Sequence, residues 1–129
     1  MGKKQFLMLA LAILIAGPAI AQTSSAAQTG QATRSQRAKW AGEWKVGITA
    51  GGGTFYITLS LDGTATKSMG ALHGTWEVVG SEARISWNDG WHDVIRRAGN
   101  HFEKAAYAPG QNFSDAPNNI TSATRTEPM

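Results

Sequence analysis

The feature that most constrains this chain is a strict two-residue alternation, repeated at short intervals. In GEWKVGIT (42–49), Trp44, Val46 and Ile48 alternate with Glu43, Lys45 and Gly47. In TFYITLSL (54–61), Phe55, Ile57, Leu59 and Leu61 alternate with Thr54, Tyr56, Thr58 and Ser60. Successive side chains of a strand point to opposite faces, so this period describes one buried face and one wet face. Five more segments fit strands: TATKSM (64–69), HGTWEVV (73–79), EARISW (82–87), WHDVIRR (91–97) and HFEKAAY (101–107). Between them lie turn formers: Gly51-Gly52-Gly53, Asp62-Gly63, Gly70, Gly80-Ser81, Asn88-Asp89-Gly90 and Gly99-Asn100. These residues tolerate the backbone conformations that reverse a chain. The expected fold is all-β: an antiparallel up-and-down meander of about seven strands forming a small barrel or half-barrel. Such curling hides sheet edges. In a core this small, incomplete closure with homodimerisation through a free edge is the alternative.

The turn in WNDGWHD (87–93) decides which side chains reach the interior. A two-residue Asp89-Gly90 loop sets Trp87 opposite His92 and leaves Asp93 in water. A three-residue loop, Asn88-Asp89-Gly90 with Gly90 left-handed, sets Trp87 opposite Trp91 and Ile85 opposite Asp93. The second is preferred, because it places two aromatic residues across from each other. It also brings Asp93 among Trp87, Trp91, Ile85 and Ile95. A carboxylate there needs a hydrogen-bond donor, since burying it without one is costly.

The ends of the chain differ from this core. Residues 1–21 combine a basic start (Lys3, Lys4), a short apolar run (Phe6 to Ala16) and the small-residue stretch Ala19-Ile20-Ala21. They are expected to be an export signal cleaved before Gln22. The apolar run is too short for a stable transmembrane helix. Neither a lipid-attachment cysteine nor a myristoylation pattern is present, so no stable membrane anchor is expected after cleavage. Residues 22–39 are rich in Gln, Thr, Ser, Ala and Gly and are expected to be a disordered leader. Residues 109–129, rich in Pro, Asn, Thr and Ser, are expected to be a disordered tail. The domain therefore spans 40–108.

Composition narrows the partners. The chain has 12 basic and 9 acidic residues, and loss of Lys3 and Lys4 leaves near-neutrality. Within 40–108, six basic residues face seven acidic ones. Phosphate-backbone binding needs a clustered positive field, so no nucleic-acid partner is expected. The absence of cysteine excludes disulfides and thiolate metal sites.

The core opens with Gly42-Glu43-Trp44 and carries Asp62-Gly63-Thr64 and Gly74-Thr75-Trp76. A G-x-W at the first strand followed by a meander resembles the calycin superfamily, which includes lipocalins, avidins and fatty-acid-binding proteins. The DGT and GTW elements resemble those of lipocalin-like bacterial domains. The resemblance implies that Trp44 plugs the closed end of a barrel, with Gly42 before it and a basic residue from a late strand, Arg96 or Arg97, packed over it. The core is shorter than a typical lipocalin's. It also resembles the periplasmic inhibitors of secreted metalloproteases, small calycin-like barrels whose flexible N-terminal segment enters the protease cleft.

Trp40, Trp44, Trp76, Trp87 and Trp91 all fall in the core. Each brings a large apolar surface and one N–H donor. They either fill a small barrel or line a pocket; the candidate ligand-binding residues are Trp76, Trp87, Trp91 and Asp93. His73, His92 and His101 lie on three different strands without ligand spacing, so no metal is expected. No G-x-S-x-G elbow marks a nucleophile, no calcium loop is present, and no Gly-Lys-Ser/Thr follows the triple glycine. The expectation is an exported (periplasmic or secreted) non-catalytic β-barrel binding module without cofactor, taking a small apolar ligand. The alternative is a protein-interaction module binding another exported protein, such as a periplasmic protease inhibitor, or a structural envelope protein.

Overall fold

The computed structural model describes residues 34–128. Eight strands follow one another: β1 Gly42–Gly47, β2 Thr54–Leu59, β3 Thr64–Lys67, β4 Leu72–Val79, β5 Glu82–Trp87, β6 His92–Ala98, β7 His101–Tyr107 and β8 Asn119–Pro128. Each pairs antiparallel with the next, and β8 pairs with β1, closing the barrel in simple up-and-down order. Seven of the eight strands match the alternating segments of the sequence.

The eighth corrects the expected tail. Residues 119–128 run beside β7, from Ala106↔Asn119 to Phe102↔Ala123, and beside β1, from Val46↔Ala123 to Gly42↔Pro128. The composition suggested disorder because the inward positions of β8 are Thr121, Ala123 and Arg125, none a large hydrophobe. The strand is held instead by main-chain ladders on both sides. Both edges of the meander are thereby paired, and the free edge needed for edge-to-edge dimerisation is occupied. Residues 109–118 form a hydrogen-bonded loop: Asp115 accepts from the Asn112 amide at 2.8 Å, and Asn118 accepts from the Ala108 amide at 3.1 Å. Phe113 of this loop packs outside the barrel against His92 and Tyr107.

The proposed export signal and residues 22–33 of the leader lie outside the described residues. Residues 34–40 are helical, so the leader is ordered before its expected end at 39. The helical turn stops where the Ala41 amide meets the Arg37 carbonyl at 2.8 Å and Trp40 docks on the barrel. Within the barrel, Trp44, Ile57, Leu59, Ile85 and Ile95 are almost fully buried. With Ala65, Trp76 and Ala83 they fill the half nearest the start of β1. Burial of this apolar surface is the main favourable term in a domain without disulfides.

Candidate functional site

The two ends of the barrel are built differently. At the end near the start of β1, Trp40 and Trp44 stack with centroids 5.9 Å apart, and Phe102 meets both edge-on at 5.8 and 5.1 Å. Trp44 donates its indole N–H to the Trp40 carbonyl at 2.9 Å. The guanidinium of Arg125 lies 5.3 Å from the centre of the Trp44 ring and donates to the Ala41 carbonyl. Burial lowers the pKa of Arg125 from its ordinary value. Gly42, buried with φ of +125°, opens β1 at this end. Trp44 is thus buried at this end against Trp40 and Phe102, and the basic residue over its ring is Arg125. Arg96 is not: it lies on the outer face and bonds Glu103 at 2.8 Å. Arg97 covers Phe102 at 4.8 Å. Arg125 was hidden from sequence reasoning because it sits in the strand that composition assigned to a tail.

The other end holds a cavity of about 370 Å³. Three buried charged side chains line it: Lys67 (7% exposed), Asp93 (4%) and Lys104 (3%). They come from different strands at inward positions: Lys67 on β3, Asp93 on β6 and Lys104 on β7. The rim is more apolar, with Ile48, Met69, Leu72 and Trp91.

The hairpin between β5 and β6 places Asp93. Ile85 opposes Asp93, Ser86 opposes His92, and the Trp87 amide bonds the Trp91 carbonyl at 2.9 Å. This is the three-residue register, and Gly90 closes it with φ of +95°. The left-handed region suits glycine because it lacks a Cβ. Asp89 accepts from the Trp91 amide at 3.1 Å and stabilises the turn. Asp93 therefore points inward, and its Oδ2 accepts from Trp87 Nε1 at 2.8 Å. That bond supplies a donor the buried carboxylate needs. The indole of Trp87 rests on Gly74 of β4, where an added Cβ would lie 2.9 Å from the ring and 2.2 Å from the Ser86 carbonyl. Only glycine leaves room for that ring at the cavity floor.

The lysines lie on aromatic faces. Lys67 Nζ is 4.7 Å from the centre of the Trp87 ring, and Lys104 Nζ is 4.9 Å from that of Phe55. Negative ring faces attract ammonium groups, more strongly where water is excluded. Burial pushes the pKa of Lys104 down; Asp93 opposes this shift and Lys67 adds to it. Asn119 also lines the cavity, and its buried Oδ1 has no hydrogen-bond partner among the described residues.

Of the four candidate ligand residues, Asp93 and Trp91 line this cavity and Trp87 lies beneath it. Trp91 is 37% exposed at the rim. Trp76 is elsewhere, in the filled half, donating its indole N–H to the Ser60 carbonyl at 2.8 Å. Sequence reasoning missed Lys67 and Lys104. The signal was present: in TATK and HFEKAAY they alternate in phase with Ala65 and with Phe102 and Ala106. Their charge spoke against an inward assignment.

His92 faces outward. It stacks on Tyr107 with centroids 5.6 Å apart, and its ring nitrogens face the Gly90 carbonyl at 3.2 Å and the Gln111 carbonyl at 2.6 Å. It pins the 109–118 loop to the barrel wall. Among the described residues no group of three or more His, Cys, Asp or Glu side chains is placed to hold a metal ion, and no helix is long and apolar enough to cross a membrane.

The described residues thus define a closed, eight-stranded antiparallel barrel with one plugged end and one polar-floored mouth. Compared with family models, curated proteins and solved structures, the chain matches none.

Proposed function

We propose that this protein is an exported, non-catalytic, calycin-like binding module that holds a small organic molecule in the mouth of its barrel. The observation that carries this reading is the cavity of about 370 Å³ above a filled half, with ionisable side chains held at its depth. A barrel needing only stability would do as well or better with apolar residues there, because taking charges out of water is expensive. Concave sites with mainly apolar walls and a few convergent polar groups are the usual form of small-molecule sites. The ligand is not purely apolar, since the floor would leave its lysines and carboxylate unmatched. Export rests on the character of residues 1–21.

The test is isothermal calorimetry of the protein with three compounds of one shape: naphthoate, naphthylmethanol and naphthylmethylammonium. At least one should bind saturably with one-to-one stoichiometry. Leu72→Trp, which fills the rim, should abolish that binding while leaving the circular dichroism spectrum unchanged. If none of the three binds, or if Leu72→Trp folds and binds as well as the parent, the mouth is not a small-molecule site.

A further inference from the structure

The charges in the mouth are not balanced at depth. Two ammonium groups, Lys67 and Lys104, share the floor with one buried carboxylate, Asp93. The second acid of the lining, Asp89, is exposed at the rim and bonds the Trp91 amide. Asp93 is already engaged by Trp87 Nε1, and it makes no ion pair within 4.0 Å of either lysine among the described residues. The lysines have aromatic rings beside them and no hydrogen-bond acceptor among the described residues. An ammonium group carries three donors, and a ring face is a weaker partner than an anionic oxygen. The floor therefore has one surplus positive charge and several unused donors.

The arrangement also sets orientation and size. Charge lies deep and apolar surface lies at the rim, so an amphipathic anion enters head-first and leaves its apolar body against Met69, Leu72 and Trp91. Beneath the floor the barrel is filled by Trp44, Ile57, Leu59, Ile85 and Ile95, so no channel takes a long chain. A dianion would exceed the single surplus charge and meet Asp93 as a like charge.

We infer that the barrel mouth binds a compact organic monocarboxylate, carboxylate inward between Lys67 and Lys104; this rests on the small-molecule reading above. The Oδ1 atom of Asn119, unpartnered among the described residues, offers an acceptor to a hydroxyl on such a ligand.

The experiment extends the calorimetric series. Naphthoate should bind at least about tenfold more tightly than naphthylmethanol, a difference within the range of charge-assisted hydrogen bonds. Lys104→Met and, separately, Lys67→Met should each remove about tenfold of the naphthoate affinity and change naphthylmethanol binding by less than about threefold. Thermal melts establish that each variant folds, and either variant alone suffices for the test. Inorganic phosphate should not compete with naphthoate. If naphthylmethanol or naphthylmethylammonium binds as tightly as naphthoate, if both folded variants keep full naphthoate affinity, or if phosphate displaces it, the monocarboxylate assignment is overturned while the small-molecule reading stands. If no compound binds, both readings fall together.

Discussion

The two ends of this barrel use the same pair of materials, aromatic rings and cationic side chains, to opposite effect. At the plugged end, Arg97 and Arg125 lie on Phe102 and Trp44, and Arg125 also donates to a main-chain carbonyl. A guanidinium packs as a flat plate and is weakly hydrated, so it can seal an apolar plug at moderate cost. At the mouth, Lys67 and Lys104 approach Trp87 and Phe55 with compact, strongly hydrated charges. There the same kind of contact leaves donors unused and asks for an anion. A ring with a cation over it is a plug or a site according to which cation it is and whether it lies against a filled core or an open cavity.

The largest effect should come from breaking the plug. Trp44→Ala removes the ring that Trp40, Phe102 and Arg125 all touch, and should cost about 3–5 kcal/mol in urea unfolding, in the range for large-to-small aromatic changes in cores. A loss below about 1 kcal/mol would mean that the plug is not where the stability lies. Arg125→Met separates the guanidinium from the packing of its stem. It should cost about 1–2 kcal/mol by the same measurement, from the cation–π contact and the lost bond to Ala41.

The mouth should respond with the opposite sign. Lys104→Met keeps the side chain's length and removes a buried charge, so it should stabilise the protein by about 1 kcal/mol. Its pH dependence follows from the lowered pKa of Lys104, which burial causes, Lys67 reinforces and Asp93 opposes. Between the folded and the higher unfolded pKa, the unfolded chain binds more protons at this lysine. Stability therefore rises with pH across that window on its account. Lys104→Met should remove this contribution, seen as a flatter dependence of the urea midpoint on pH from neutral to alkaline solution. An unchanged slope would show that Lys104 is not held out of water.

Much of the fold was legible because the relevant physics is local. Alternation in β1 and β2 and glycine-rich turns place strands wherever one face is buried and the chain must reverse. The Trp87-to-Asp93 hairpin was legible for the same reason: opposing Trp87 to Trp91 requires the three-residue loop that Gly90 closes. The site was legible only in part. Asp93 and Trp91 were accessible through that hairpin, whereas Trp76, the other strand candidate, does not line the cavity, because its distance along the barrel axis depends on the stagger of all eight strands.

The sequence by itself determined the positions of seven of the eight strands and the buried face of β1 and β2, and it favoured the inward turn of Asp93, since each depends on neighbours a few residues away. Only the tertiary structure decided that residues 119–128 close the barrel, that Arg125 rather than Arg96 covers Trp44, and that Lys67 and Lys104 share one floor with Asp93. These outcomes join residues tens of positions apart. A chain whose inward residues are Thr, Ala, Arg or Lys carries no local hydrophobic signal; its place is fixed by the ladders that its neighbours offer.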